Sequence, residues 1–250
     1  MLRDNPSAPL VLAVALWLSG TTAATAAGPT VRDLDSCRRL AERAPLEALA
    51  AVKDWAAHGG GDQARLCRAE ALFQSGDYSG AGDIFETLAT GGARSDRQIA
   101  DLYDHAGWAF LRAGATERAE FLYSRALDKM PDDAELRIDR GIARSELGKY
   151  RDAVADFTHA LGKQPDRPDA YYFRAVAYRE LTDLKNARED IEHSLRLRPG
   201  NAEALVLRGT IRAQTGDKPG ARLDWQEVIR RGADTPAARG AAVRLKRLDE

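Results

Sequence analysis

Residues 134–167 read AELRIDRGIARSELGKYRDAVADFTHALGKQPDR, and the spacing of small, bulky and turn residues in this stretch recurs on both sides of it. Proline closes three consecutive stretches at the same interval of 34 residues, at Pro131, Pro165 and Pro199. A period of this length is typical of paired helices that cannot bury their apolar faces alone and therefore stack on neighbouring pairs. The spacing predicts an all-α solenoid of antiparallel helix pairs.

The three central units, 100–133, 134–167 and 168–201, share their internal landmarks. Small residues stand at unit positions 8, 20 and 27, where two helices approach closely, and a bulky apolar residue stands at position 24. Position 8 is filled by Gly107, Gly141 and Ala175, and position 24 by Tyr123, Phe157 and Ile191. Position 15, at the turn between the helices, is glycine in two units and Thr182 in the third.

This pattern resembles the tetratricopeptide repeat family, whose units are 34 residues long. The resemblance implies a right-handed superhelix whose inner face is lined by the first helix of each unit. Weaker units extend the array at both ends. The predicted organisation is a signal peptide at 1–26, a degenerate helical pair at 27–61, a repeat-like unit with an insertion at 62–99, three full repeats at 100–133, 134–167 and 168–201, a repeat-like unit at 202–235 and a capping helix at 236–250. The insertion at 91–99 is interpreted either as a passive loop or as a hinge.

The leader differs from the rest of the chain. Arg3 precedes the apolar run LVLAVALWL at 10–18, and an A-x-A cleavage pattern follows at 24–26. The run is too short for the roughly 20 residues that span a bilayer. The leader predicts export to the periplasm, with no stable membrane insertion after cleavage. Secretion, or retention by an uncleaved anchor, is the alternative.

Cys37 and Cys67 are the only two cysteines. An oxidising compartment favours a disulfide between them. The alternative is a pair of buried thiols that act as small hydrophobic residues, because sequence alone does not establish the close Cα approach that a bridge requires.

The composition argues against several function classes. A formal net charge of −1, with acids and bases interleaved, offers no basic field for nucleic acid. The four histidines form no paired metal-binding motif, and neither a nucleophile elbow nor a phosphate-binding loop is found. We therefore expect no enzyme activity, no metal and no cofactor.

The resemblance implies that positions 2, 5, 9, 12 and 13 of each first helix face a partner. The predicted groove residues are Phe73, Trp108, Leu111, Arg112, Ile138, Ile142, Tyr172, Val176 and Arg179. Asparagine occurs only at Asn5, Asn186 and Asn201, none of them at these positions, so a clamp for a terminal carboxylate is not expected. An apolar partner segment, for instance a helical one, fits this surface better.

The sequence thus predicts a non-enzymatic protein–protein interaction scaffold or adaptor of the cell envelope, with a protein as its partner. The alternative hypothesis is an assembly factor that contacts cell-wall polymer or exopolysaccharide directly. Exposed aromatic residues, on which polymer binding usually depends, are few.

Overall fold

The computed structural model describes residues 30–249, so the predicted signal peptide at 1–26 lies outside the described residues. Within that range the chain is helical and contains no strand, which confirms the all-α class. The helices are α1 (Leu34–Arg43), α2 (Pro45–Ala57), α3 (Gly61–Ser75), α4 (Tyr78–Thr90), α5 (Asp96–Arg112), α6 (Thr116–Lys129), α7 (Ala134–Glu146), α8 (Tyr150–Lys163), α9 (Pro168–Glu180), α10 (Leu184–Leu197), α11 (Ala202–Gln214), α12 (Lys218–Arg231) and α13 (Pro236–Asp249).

The stack has one side on which first helices meet. Helix α5 contacts α7, α7 contacts α9 and α9 contacts α11, while no comparable contact joins successive second helices in the described chain. The second helices pack instead on the first helices of their own and the following unit. The first helices therefore form the inner face of the helix stack, and we call it the first-helix face.

Turns between paired helices need a left-handed backbone residue. Gly148, between α7 and α8, has φ 72°, and Thr182 stands at the equivalent place between α9 and α10 with φ 61°. Glycine adopts this region without a Cβ clash, whereas a β-branched residue is strained there. An aspartate cap can then start the second helix, as when Asp183, directly after Thr182, accepts the backbone N–H of Asn186 at 3.2 Å.

Within a unit, the two helices are packed together by a bulky side chain on the second helix that contacts a small residue on the first. A Cβ atom added to Gly107 would lie 2.8 Å from the ring of Tyr123, and one added to Gly141 would lie 2.6 Å from the ring of Phe157. Both rings are fully buried. Positions 8 and 24 of the repeat are therefore in direct contact, and the absence of a side chain at position 8 lets the two helices of a unit approach closely.

Buried ion pairs recur once per unit in the last three units, between an arginine at position 7 and an aspartate at position 23. Each guanidinium donates two hydrogen bonds to its carboxylate, at distances between 2.6 and 3.0 Å. The pairs are Arg140–Asp156, Arg174–Asp190 and Arg208–Asp224. The sequence analysis missed this series, although its 34-residue interval is visible in the sequence.

The first two helical pairs are joined covalently. Cys37 of α1 and Cys67 of α3 form a disulfide with their Cα atoms 5.8 Å apart. The predicted insertion is a short connection between Thr90 and Asp96, and Arg94 within it forms an ion pair with Asp62 of α3. This contact fastens the connection to the preceding first helix.

Candidate functional site

A pocket of about 310 Å³ opens at the N-terminal end of the first-helix face. Side chains from α1, α3, α4 and α5 line it, so it spans the junction of the degenerate pair with the first two repeat-like units. Its lining residues are Arg38, Ala41, Glu42, Glu70, Phe73, Gln74, Phe85, His105 and Trp108. We call it the N-terminal pocket.

Aromatic side chains form one wall of this pocket. Trp108 is 43% exposed, a large fraction for an indole. Phe73 packs edge-on against Tyr78 with ring centroids 5.1 Å apart. Arg112 donates to the Tyr78 hydroxyl at 3.0 Å, and its guanidinium lies 5.0 Å from the Tyr78 ring and 5.9 Å from the Trp108 ring. These contacts hold the wall in place before any ligand arrives.

The opposite wall is held by charge and by the disulfide. The Arg38 guanidinium donates three hydrogen bonds to the Glu70 carboxylate, at 2.9, 3.0 and 3.1 Å. Arg38 directly follows Cys37, and Glu70 lies one helical turn after Cys67. The ion pair and the covalent bond therefore join α1 to α3 at adjacent places, and both fix the width of the pocket.

Two carboxyl groups meet beside the pocket. Asp104 lies on α5 one turn before Trp108, and the Asp139 carboxyl on α7 lies close enough to Asp104 to interact with it. Burial raises the pKa of both carboxyls. The charges of Asp101, Asp133 and Glu135 raise that of Asp104 further, and the charges of Asp104 and Glu135 raise that of Asp139. The pair therefore retains a proton at pH values at which an exposed aspartate is fully ionised. We call these two residues the acid pair.

The Tyr123 hydroxyl is buried close enough to the acid pair for the two carboxylates to affect its pKa. The side chain is fully buried, and its oxygen has no hydrogen-bond partner. Burial raises the pKa of the phenol, and the carboxylates of Asp139, Asp104 and Glu146 raise it further. The hydroxyl is thus a neutral donor without a partner, and both carboxyls of the acid pair act on it electrostatically.

Only some of the nine predicted groove residues lie at the N-terminal pocket or next to the acid pair. Phe73 and Trp108 line the N-terminal pocket, whereas Leu111, Ile142 and Val176 are half-buried against the core clusters of their units. Arg179 forms an ion pair with the adjacent Glu180.

The surface assignment of Ile138 is wrong. Its side chain is 2% exposed and belongs to the same core cluster as Phe157 and Ala170. Helix α7 is packed between its own second helix and α9, so position 5 of this unit points into the interface between units and is not available to a partner.

Tyr172 lies in a separate, smaller pocket of about 210 Å³ near the start of α11. Asn201 lines this pocket too, although it stands at none of the predicted groove positions. Its side-chain oxygen accepts the Ala204 N–H at 2.7 Å and so caps α11. Because that oxygen is engaged, Asn201 serves the helix end, and the predicted strip of groove residues is divided into two pockets.

The sequence analysis missed the contribution of the degenerate pair and the role of Asp139. Arg38 and Glu42 of α1 belong to no recognisable repeat, so the unit numbering gave them no position. The available signal was the 32-residue spacing between Arg38 and Glu70, which recurs in the ion pair of Arg118 with Glu86 and in that of Arg167 with Glu135. The first two of these pairs join consecutive units, and the third joins α7 to Arg167 at the N-cap of α9.

Within residues 30–249, no group of three or more histidine, cysteine, aspartate or glutamate side chains is placed to hold a metal ion. No helix in the same range combines the length and apolar character needed to cross a membrane. The described chemistry of the first-helix face is therefore that of aromatic side chains, ion pairs and the acid pair.

Comparison with known proteins agrees with the repeat architecture. Tetratricopeptide repeat models match residues 107–178 and 168–201. A search of curated proteins finds no match. Among solved structures, the Cut9–Hcn1 hetero-tetramer of the APC/C is similar with a TM-score of 0.66 and 15% identity, over 88% of this chain and 43% of that one.

Two smaller proteins are similar over most of their own length. MamA has a TM-score of 0.58 and 17% identity, over 65% of this chain and 92% of its own. YrrB, described as a TPR protein with an unusual peptide-binding site, has a TM-score of 0.58 and 20% identity, over 69% of this chain and 88% of its own. At these identities the likeness concerns the fold. From the repeat models and the helical solenoid together, residues 107–201 of this chain are tetratricopeptide repeats.

Proposed function

We propose that this chain is a non-catalytic interaction protein that holds a segment of a partner protein on its first-helix face, with the N-terminal pocket as the main anchor. The observation that carries the proposal is the exposed indole of Trp108 in a pocket whose walls are already held by other contacts. Aromatic side chains supply a large share of the binding energy at protein interfaces. A pocket formed in advance also reduces the ordering cost of binding.

The size and lining of the pocket suit an apolar side chain of the partner. About 310 Å³ accommodates one or two side chains, and Phe73, Phe85 and Trp108 supply apolar contact area. The ion pair of Arg38 with Glu70 forms a polar rim in which each charge already has a partner. An apolar residue therefore enters without leaving a buried charge unpaired.

We extend the proposal to location: the chain acts outside the cytoplasm, in the cell envelope. The apolar leader at 10–18 supports this, and a disulfide between Cys37 and Cys67 suits an oxidising compartment. The test is fractionation of cells that express the full chain, with the redox state of the two cysteines read by thiol alkylation. Cytoplasmic recovery with both thiols free contradicts the extension.

Binding is tested with a random peptide display library selected on the purified full chain. We expect apolar-rich binders whose affinity falls about tenfold or more on Trp108→Ala. The matched control is Phe121→Ala, which removes an aromatic side chain that is 56% exposed but lies on the second helix α6. If the selected peptides bind Trp108→Ala as well as the wild type, the proposed anchor is contradicted. If no peptide binds and the chain instead co-sediments with wall polymer in a way that depends on Trp108, the pocket binds polysaccharide.

A further inference from the structure

The acid pair lies within reach of anything bound at the N-terminal pocket. Asp104 and Trp108 are one helical turn apart on α5, so their side chains lie on the same face about 5–6 Å apart along the helix. Asp139 is brought to the same place by the contact between α5 and α7. A segment that binds at Trp108 therefore passes over two adjacent carboxyl groups.

Within residues 30–249, no cation forms an ion pair with either carboxyl of the acid pair. Among the ion pairs of the described residues, none includes Asp104 or Asp139, and Arg140, the nearest arginine in sequence to Asp139, is occupied by Asp156. The charged and titratable groups that act on the pair are Asp101, His105, Asp133, Glu135 and Arg167, together with the phenol of Tyr123. Arg167 is itself paired with Glu135 and Asp169, so acidic groups dominate this environment.

The buried hydroxyl of Tyr123 is an independent sign of an unfilled site. A buried polar atom without a partner costs about 1–3 kcal/mol, so proteins rarely retain one. The equivalent residue of the next unit is Phe157, which fills the same space without a hydroxyl. The hydroxyl is therefore not needed for packing, and the carboxylates of Asp139 and Asp104 are the two charges that affect it most.

We propose that the acid pair is a subsite for one lysine or arginine side chain of the partner segment, beside the apolar anchor at Trp108. This inference rests on the proposed function. An ammonium or guanidinium group donates to both carboxylates at once and replaces their mutual repulsion with two charge-assisted hydrogen bonds. The tyrosine hydroxyl then donates to a carboxylate that has become fully ionised. A metal ion is a poorer occupant, since the described residues provide no group of three ligands here.

The geometry also restricts the sequence of the partner. A separation of about one helical turn between the two subsites corresponds to residues two apart in an extended segment, or three to four apart in a helix. Selected binders should therefore carry a basic residue at one of these distances from their apolar anchor residue.

The test uses a selected peptide and its copy in which the basic residue is replaced by norleucine. With the wild-type chain, we expect the replacement to weaken binding about tenfold or more. With the Asp104→Asn/Asp139→Asn chain, the two peptides should bind alike. Asp152→Asn is the matched control, because Asp152 is an exposed carboxylate on the second helix α8. Asparagine copies the shape of a neutral carboxyl, so the double variant should fold, which circular dichroism checks.

A second readout separates charge recognition from shape. Since a cation favours the ionised carboxylates, binding of the basic peptide should strengthen from about pH 5 to about pH 8, whereas binding of the norleucine peptide should not. Tyr123→Phe, which retains both carboxyls, should weaken only the basic peptide.

The outcomes are distinguishable. Trp108-dependent binders that show no preference for a basic residue overturn this inference and leave the proposed function standing. A library without any Trp108-dependent binder overturns both. A third outcome is competition by calcium or magnesium chloride at about millimolar concentration. If the salt displaces the basic peptide from the wild-type chain and not from the double variant, the acid pair binds a metal ion and this inference is overturned.

Discussion

The guanidinium of Arg140 and the carboxylate of Asp156 face each other inside one repeat, with Nε to Oδ2 at 2.9 Å and Nη2 to Oδ1 at 2.7 Å. Asp156 also accepts hydrogen bonds from Arg144 at 2.7 Å and Arg137 at 3.4 Å, and its side chain is 2% exposed. One buried carboxylate therefore accepts hydrogen bonds from three arginines, of which Arg144 also pairs with Glu120.

We expect Asp156→Asn to lower the free energy of unfolding by about 3 kcal/mol or more, because it leaves buried guanidinium groups without a counter-charge. The matched variant is Asp190→Asn, whose carboxylate has hydrogen bonds from Arg174 alone and should cost less. Urea unfolding followed by circular dichroism measures both. Equal losses would show that the number of arginine partners does not determine the cost.

The close approach of Gly107 to Tyr123 gives a second prediction. Gly107→Ala places a Cβ against the buried ring and should destabilise the chain by about 1–3 kcal/mol. Gly162→Ala is its control, since nothing lies within 4 Å of the added Cβ in α8. That control should stabilise the chain by about 0.5–1 kcal/mol, because alanine favours a helix over glycine. Thermal melting of both variants checks the difference in sign.

The disulfide gives a third prediction. Replacing Cys37 and Cys67 by alanine removes a cross-link that closes a loop of about 30 residues, for which chain entropy predicts about 3–4 kcal/mol. We expect amide exchange to accelerate in α1 and α2 and remain slow in α7–α10, because stability in a repeat array is local. Uniform acceleration along the chain would contradict this.

A fourth prediction concerns pH. Burial raises the folded-state pKa of Asp139 above its unfolded value, and the charge of Asp104 adds to this effect. Its contribution to stability is then complete below the ordinary aspartate pKa and is lost as pH rises through the raised folded value. The wild-type chain should therefore lose more stability between about pH 5 and about pH 8 than Asp139→Asn does, by about 1 kcal/mol or more.

Urea titrations at both pH values measure this difference. The control is Asp152→Asn, which should follow the wild type at each pH. If the stability of Asp139→Asn also falls as steeply as that of the wild type, the carboxyl of Asp139 does not retain a proton in the folded state.

The repeat spacing was sufficient to predict the helix pairs. Glycine, proline and small residues at fixed intervals determine where helices end and where they can approach, and these are local properties of the sequence. The contact of Gly141 with Phe157 follows from the same spacing. The Arg140–Asp156 pair recurs at the same interval. Because charges on a helix are more often solvated, the sequence alone does not predict that this pair is buried.

The candidate site was less predictable because it depends on packing between units. Ile138 occupies a position that faces a partner in the family pattern, yet α9 covers it here. The N-terminal pocket requires α1, whose placement depends on a disulfide and on the pair of Arg38 with Glu70 and not on the repeat. The acid pair requires two first helices to meet, which no single unit encodes.

The arginine at position 7 and the aspartate at position 23 always belong to the same unit. Deleting one such unit between its flanking turns would therefore remove both charges together and leave neither without its partner. Recombination can in this way lengthen or shorten the array by whole units without separating the two members of such a pair. Each of the three units carries its own internal pair, so duplicating 168–201 should yield a longer chain in which every arginine at position 7 of these units still has its aspartate.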